Sequence, residues 1–286
     1  MGVSLALDAR GGAHPGPCVI GDEAPIVGQT ARTMISANPP AITVDNLVKV
    51  YKTVTAVDGI SFDLTPGSIT GLLGGNGAGK TTTIATIMGL VIPTSGRVSV
   101  LGTDMTHHRH RVLHRMNFES PYVEMPKRLT IRQNLKVFGL LYGVDDVAGR
   151  IAAIAAELDL TDLLDRPTGQ LSAGQKTRVS LAKSLINQPE VLLLDEPTAS
   201  LDPDTADWVR TRLERYCAER GATVLLASHN MLEVERLCER VIMMKAGRIV
   251  DDDTPQSLLA RYGRSTLEEV FLDVARGRGE AQEAAQ

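Results

Sequence analysis

The sequence predicts an α/β protein with a mainly parallel sheet, an antiparallel β subdomain and an inserted helical subdomain, and three features carry that expectation. Two short apolar runs, Val191 to Leu194 and Ala222 to Ala227, end in the polar pairs Asp195-Glu196 and Ser228-His229. Such runs fit central parallel strands buried on both faces, with their polar ends at the carboxyl edge where α/β proteins bind ligands. Ile69 to Leu73, a glycine-rich loop and Thr82 to Leu90 read in order as strand, loop and helix. From Thr130 to Ile186 the alternation of strand and helix gives way to consecutive helices, as expected of a subdomain inserted between two halves of an α/β core.

The elements follow in order. Ile42-Thr43-Val44, Leu47 to Tyr51 and Ile60 to Leu64 are β-branched runs divided by polar or glycine turns, which predicts antiparallel strands. Tyr51 ends one of them, where an aromatic face can stack on a nucleobase; taken alone it reads better as a half-buried strand tyrosine. Pro93 to Gly96 leads into a strand from Arg97 to Leu101. His107-His108-Arg109-His110 has no carboxylate or cysteine set at fixed spacing beside it, so it reads as a solvated helix start rather than a metal site.

Ile131, Leu135, Phe138 and Leu141 share one helical face, and a second helix covers Val147 to Leu158. Ser172 and Gly174 open a helix running to Ile186. They can offer a hydroxyl and a backbone donor to a phosphate, and an ordinary N-cap explains them equally well. Ala199 to Pro203 opens a helix toward Arg220, and Val241 to Met244 with Arg248 to Val250 reads as a closing hairpin.

The 286 residues are 43% hydrophobic and 22% charged, ordinary for a globular protein, and the formal net charge of −4 gives no basic footprint for nucleic acid. Cys18, Cys217 and Cys238 lack metal-ligand spacing and suit a reducing compartment, most simply as inert side chains. No run approaches the roughly 20 apolar residues of a membrane span, so any action at a membrane goes through a partner. The N-terminus lacks the pattern of a secretory signal.

Gly74-Gly75-Asn76-Gly77-Ala78-Gly79-Lys80-Thr81-Thr82 matches G-x-x-x-x-G-K-[ST] between a strand and a helix, the context of a P-loop nucleotide hydrolase core. Glycines let successive N–H groups curl toward one concavity, where they and the helix N-terminus face phosphate oxygens. Lys80 supplies a mobile charge to the β- and γ-phosphates, and the Thr81 hydroxyl is placed to ligate Mg²⁺. Asp195 is then expected in the Mg²⁺ shell and Glu196 as the group that polarises water for in-line attack. His229 ends a parallel strand at the same edge, where it would contact the γ-phosphate and position Glu196 and water.

With these elements in order, the chain resembles the nucleotide-binding subunit of ATP-binding cassette (ABC) transporters from Ala41 to about Tyr262. Gly74 to Thr82 looks like that family's Walker A motif, Leu171 to Gln175 its signature, Val191 to Glu196 its Walker B motif, Ser200 to Asp202 its D-loop and His229 its switch histidine. Tyr51 matches the aromatic that stacks on adenine. The resemblance implies a head-to-tail dimer, expected as a homodimer, in which ATP lies between one cradle and Ser172 and Gly174 of the other subunit. It implies hydrolysis coupled to a separate membrane permease, at the cytoplasmic face of the cell membrane.

Three departures stand out. Gly75 replaces a common proline, and Ala173 replaces the second signature glycine. Where the family carries a glutamine that touches Mg²⁺, the chain reads Asn117-Phe118-Glu119-Ser120-Pro121, so Glu119 or Ser120 would have to serve.

Thr266 to Leu272 resembles a tail of exporter-type cassettes, or else is an amphipathic helix packed on the core. A soluble cassette ATPase of cluster assembly is the alternative to an export subunit. The expected division is an N-terminal extension over 1–40, an ATPase domain over 41–264 and a tail over 265–286. Within the domain, 41–118 and 188–264 form the core and 119–187 the helical subdomain. Translation starting at Met34 would leave no peptide from Val3 to Arg32 in a mass spectrum of the native chain.

Overall fold

The computed structural model describes residues 38–120, 124–199 and 201–276, all within one unit, Ser36–Gln286. Cys18, Met34, Pro121, Ser200 and the end from Gly277 lie outside the described residues. The chain begins with β1 (Ile42–Tyr51), β2 (Val54–Leu64) and β3 (Ile69–Gly74), then α1 (Lys80–Ile87), β4 (Ser95–Val100), β5 (Thr103–Asp104) and β6 (Met116–Glu119). Three helices follow, α2 (Ile131–Leu141), α3 (Val147–Glu157) and α4 (Ala173–Leu185). Next come β7 (Val191–Asp195), α5 (Pro203–Arg220), β8 (Thr223–Ala227) and α6 (Met231–Leu237). The hairpin β9 (Arg240–Lys245) and β10 (Arg248–Asp253) precedes α7 (Pro255–Tyr262) and α8 (Leu267–Ala275).

One sheet has six strands in the order β10-β9-β3-β8-β7-β6, parallel except for the β10 edge. Its inner strands explain the unbroken apolar runs. Along β7, Leu192 and Leu194 enter a core shared with α3, α4 and α5, while Val191 and Leu193 enter a second core shared with α1, β1 and β2. Every second side chain faces the opposite layer, and both layers are covered.

The second sheet, β2-β1-β4-β5, is antiparallel. Residues 42–51 were expected as two strands and run as one. Register shifts between Val44 and Leu47 absorb the polar Asp45 and Asn46 as a bulge, with Asn46 at φ 46°. The neighbouring β4 fits against this bulge through Gly96, at φ 86°, where a Cβ would lie 2.2 Å from the Asn46 carbonyl oxygen.

The helix boundaries follow their caps. Thr130 and Ser172 each form a capping box with a glutamine three residues on, starting α2 and α4, and Asp202 caps α5 with Pro203 at its first position. The histidine cluster falls on exposed chain around a short 3-10 turn, Arg109–Arg111. No group of three His, Cys, Asp or Glu side chains able to hold a metal occurs among the described residues.

The tail helix α8 is amphipathic and packs on the core through Leu267, Val270 and Val274, so its pattern has a structural cause. Burial pushes the Cys217 thiol up to about 12 and raises Cys238 as well, which makes both poor nucleophiles. No helix among the described residues is long and apolar enough to cross a membrane.

Gly96→Ala forces both a positive φ and a clash with the Asn46 carbonyl, so it should lower unfolding free energy by at least about 1–3 kcal/mol. Urea unfolding of the two proteins checks this.

Candidate functional site

The site lies where β3, β8 and β7 end side by side. Across these parallel strands Leu72 pairs with Ala227, and Ala227 with Asp195, so three loops leave the sheet from one edge. A cleft of about 380 Å³ opens there, walled by Val54 and Ala56 of β2, by residues 75–79, by the start of α1, and by Asp195 and Glu196.

The loop needs its glycines unequally. A Cβ on Gly74 would lie 2.7 Å from both the Met244 carbonyl oxygen and the Ala78 Cβ, and one on Gly79, at φ 107°, 2.6 Å from the Ala56 oxygen. Gly75 is different: a Cβ there meets no atom within 4 Å, so the loop does not need a glycine at this position. Gly79 starts α1 without any side-chain cap, which leaves the first N–H groups of the helix for a ligand in the cleft.

Lys80 folds back over the loop, donating from Nζ to the Gly74 oxygen at 2.5 Å. Burial pulls its ammonium below the usual lysine range, against the opposing pull of Glu196 and Asp195. Asp195 shows the complementary effect. Burial and then the Glu196 charge push its carboxyl up, and Lys80 and the Thr81 hydroxyl hold it down.

The Thr81 hydroxyl reaches Asp195 Oδ2 at 3.5 Å. A hydroxyl beside a carboxylate is a hard-oxygen pair of the kind that takes Mg²⁺, an ion that completes its shell with water and phosphate oxygens. The donor set therefore fits the cation.

Glu196 follows β7 in the left-handed region at φ 56°, a conformation that costs a non-glycine residue on the order of 1–3 kcal/mol. Its N–H donates to the Ala227 oxygen at 2.7 Å, which ties the bend to β8. The turn brings Glu196 Oε1 to 2.8 Å from Nδ1 of His229, whose side chain is 64% exposed. The carboxylate and the imidazole thus meet on the open side of the cleft.

Other predicted residues are placed differently. Tyr51 pairs with Val54 across the β1–β2 hairpin, but its own ring is outside the cleft wall, exposed and lying under the Lys49 ammonium at 4.9 Å. The wall positions are Val54 and Ala56, which the sequence reading missed and which the hairpin turn after Tyr51 could have suggested. Ser172 and Gly174 also stand away from this cleft. They begin α4 beside α5, where a Cβ on Gly174 would come within 3.3 Å of Thr205 Oγ1.

Glu119 does not join the metal pair. In the β6–β7 register it sits opposite Leu194, so it points to the other face of the sheet from Asp195. There it is buried, ion-paired with Lys183 of α4 at 2.8 Å and accepting from the Ser180 hydroxyl. The expectation that Glu119 serves in place of the glutamine is corrected by this register: its carboxylate anchors α4. Ser120, next in the chain, is buried as well.

The family model described as "ABC transporter" matches residues 57–199. Nod factor export ATP-binding protein I of Ralstonia nicotianae is 35% identical over 236 residues, covering 82% of this chain and 73% of that one. The protein of the same name from Rhizobium meliloti is 32% identical over 259 residues, or 89% and 76% of the two chains.

Among solved structures, cbiO1 of Clostridium perfringens, part of the transporter complex cbiONQ, superposes with a TM-score of 0.70. It is 29% identical, with 86% of this chain and all of that one covered. The ATP-binding subunit of another ABC transporter, 24% identical, gives a TM-score of 0.75 over 82% and 99% of the chains and supports the fold. With a glycine cradle, a buried lysine and two carboxylates at one sheet edge, the chain belongs to the ABC transporter family as an ATP-binding, ATP-hydrolysing subunit.

Proposed function

We propose that this subunit hydrolyses ATP between two copies of the chain and drives export through a separate membrane permease from its cytoplasmic face. One observation carries the catalytic part: Glu196 and His229 meet at 2.8 Å at the rim of the cradle. A carboxylate so placed can accept a proton from water as it attacks a phosphoryl group, and an imidazole bonded to it fixes its direction. Lys80 and the loop N–H groups around the start of α1, other than that of Ala78, which donates to the Gly75 oxygen, bind and orient the phosphates.

Thr81 and Asp195 would hold Mg²⁺, which when bound neutralises charge on the β- and γ-phosphates. Asp195 is suited to that task because it is 8% exposed, and a carboxylate kept from water gains from a cation. Tyr51, exposed beside Val54, would stack on an adenine by exchanging its contact with the Lys49 ammonium for the base.

The dimer reading is supported by distance within the chain. Ser172 and Gly174 offer phosphate-binding groups at a capped helix start that takes no part in their own cradle. A second copy placed head to tail gives those groups a ligand. The export reading rests on the relatives, whose printed names are those of export ATP-binding proteins. No described helix is long and apolar enough to cross a membrane, which agrees with a path through the bilayer supplied by another polypeptide.

Lys80→Ala should abolish measurable nucleotide binding, as read with a fluorescent ATP analogue. Glu196→Gln should keep ATP affinity, lower turnover by about a hundredfold or more, and accumulate an ATP-bound dimer on size exclusion. Wild-type turnover in that variant would remove Glu196 from the mechanism. Purification from native membranes in mild detergent should recover a polytopic membrane protein. Soluble partners alone would move the reading to a cassette ATPase that works without a permease.

A further inference from the structure

One buried carboxylate close to the site belongs to neither the cradle nor the metal pair. Glu233, on α6, has no exposed surface, and each of its oxygens takes a hydroxyl donor from a different loop. Thr198 Oγ1 donates to Oε1 at 2.9 Å, and Ser228 Oγ donates to Oε2 at 2.6 Å. The Ser228 hydroxyl in turn accepts the Asn230 N–H at 3.1 Å, so its direction is fixed. Thr198 is two residues after Glu196, and Ser228 immediately precedes His229.

We propose that Glu233 is a positioning residue for ATP hydrolysis, a brace across the ends of β7 and β8 that sets the separation of Glu196 and His229. The inference rests on the roles given above to that pair.

Three observations lead there. First, the Glu196–His229 contact is a single hydrogen bond on the open side of the cleft, with a largely exposed imidazole. One exposed bond does not hold two loops in register, so its geometry is inherited from what anchors the loops behind it.

Second, Glu196 occupies a left-handed backbone that persists only where its surroundings over-determine it. The backbone restraints are the Glu196 N–H to the Ala227 oxygen and the Ala199 N–H to the Glu196 oxygen, and the Thr198–Glu233–Ser228 bridge adds the side-chain tie between the two loops. Third, a carboxylate without solvent is costly unless its oxygens are paired, and here the pairing groups come one from each loop. Burial pushes the Glu233 carboxyl up, the two hydroxyls then holding it down together with the charges of Arg210 on α5 and His229.

The brace makes no bond to Lys80 or to residues 74–79. Its removal should therefore separate hydrolysis from ATP binding, which a general loss of stability would not do. Thr198→Val deletes one donor and Ser228→Ala the other, the latter with the acceptor of the Asn230 N–H, both with almost no change of volume, and Thr198→Ser restores the Thr198 hydroxyl.

In the full-length chain, the double variant is expected to lose about tenfold to a hundredfold in kcat, the scale of a sub-ångström to ångström misplacement. KM for ATP should stay within about twofold, and Thr198→Ser should recover most of the rate. Wild-type kcat in the double variant would overturn the proposal. A fall in ATP affinity parallel to the fall in kcat would overturn it too, because it would assign these residues to folding.

Should the double variant fail to fold, Glu233→Gln, which keeps volume and one acceptor oxygen, is expected to show the same split at severalfold loss. Glu196→Gln is measured alongside. If that variant is inactive while the brace variants are wild type, only the present inference falls; if it hydrolyses at the wild-type rate, the reading of the pair falls and the inference with it.

Discussion

The parallel pairing of β3, β8 and β7 is the constraint on which everything else depends. Each strand ends in a loop with one chemical part: the cradle and Lys80 after β3, Asp195 and Glu196 at β7, and His229 after β8. The register Leu72 to Ala227 to Asp195 brings these parts to one edge, although Thr81 and Asp195 are 114 residues apart in sequence and Glu196 and His229 a further 33. What enforces the register is burial on both faces. A slip by one residue would turn every side chain of a strand toward the opposite core and break the packing on both faces at once.

Charge is distributed around that edge according to what it faces. Lys80 and Asp195 are buried and shifted in opposite senses, each displaced mainly by loss of water and restrained by the other. Their direct partners lie elsewhere: Lys80 donates to the Gly74 oxygen and Asp195 accepts from the Thr81 hydroxyl, so each feels the other through the field rather than through an ion pair. Glu119 and Lys183 form a pair of a different kind. It lies on the far face of the sheet, closed by the Ser180 hydroxyl, and joins the helix that begins at Ser172 to the end of β6. A movement of α4 relative to the core must carry this pair along or break it. Removing one partner of such a buried pair costs more than the pair contributes.

Arg178 reinforces the same helix. It lies over the face of Trp208 on α5 at 4.6 Å, with Arg212 on the ring at 5.3 Å, and so holds α4 and α5 together near their starts. The segment that would reach a partner's nucleotide is thus supported from both the sheet and α5, and its own cap satisfies Ser172 through Gln175. A rigid support suits the role proposed for Ser172 and Gly174 across a dimer interface.

The sequence by itself determined the cradle, the two-sided strands and the caps. The reason is that each is a local pattern: a loop whose glycines and lysine are contiguous, a run of four or five apolar residues, a Ser or Thr three residues before Gln. It also supplied Asp195, Glu196 and His229, because a polar residue directly after a buried strand has only the sheet edge to occupy. Tertiary structure alone decided the rest. The face taken by Glu119 follows from its pairing with Leu194, a register that no local pattern encodes, and the bulge at Asp45 and Asn46 is held by Gly96 of another strand. Glu233, fully buried on α6, carries no local mark in the sequence. Its two hydroxyl donors are 35 and 5 residues away, and only long-range packing brings all three together.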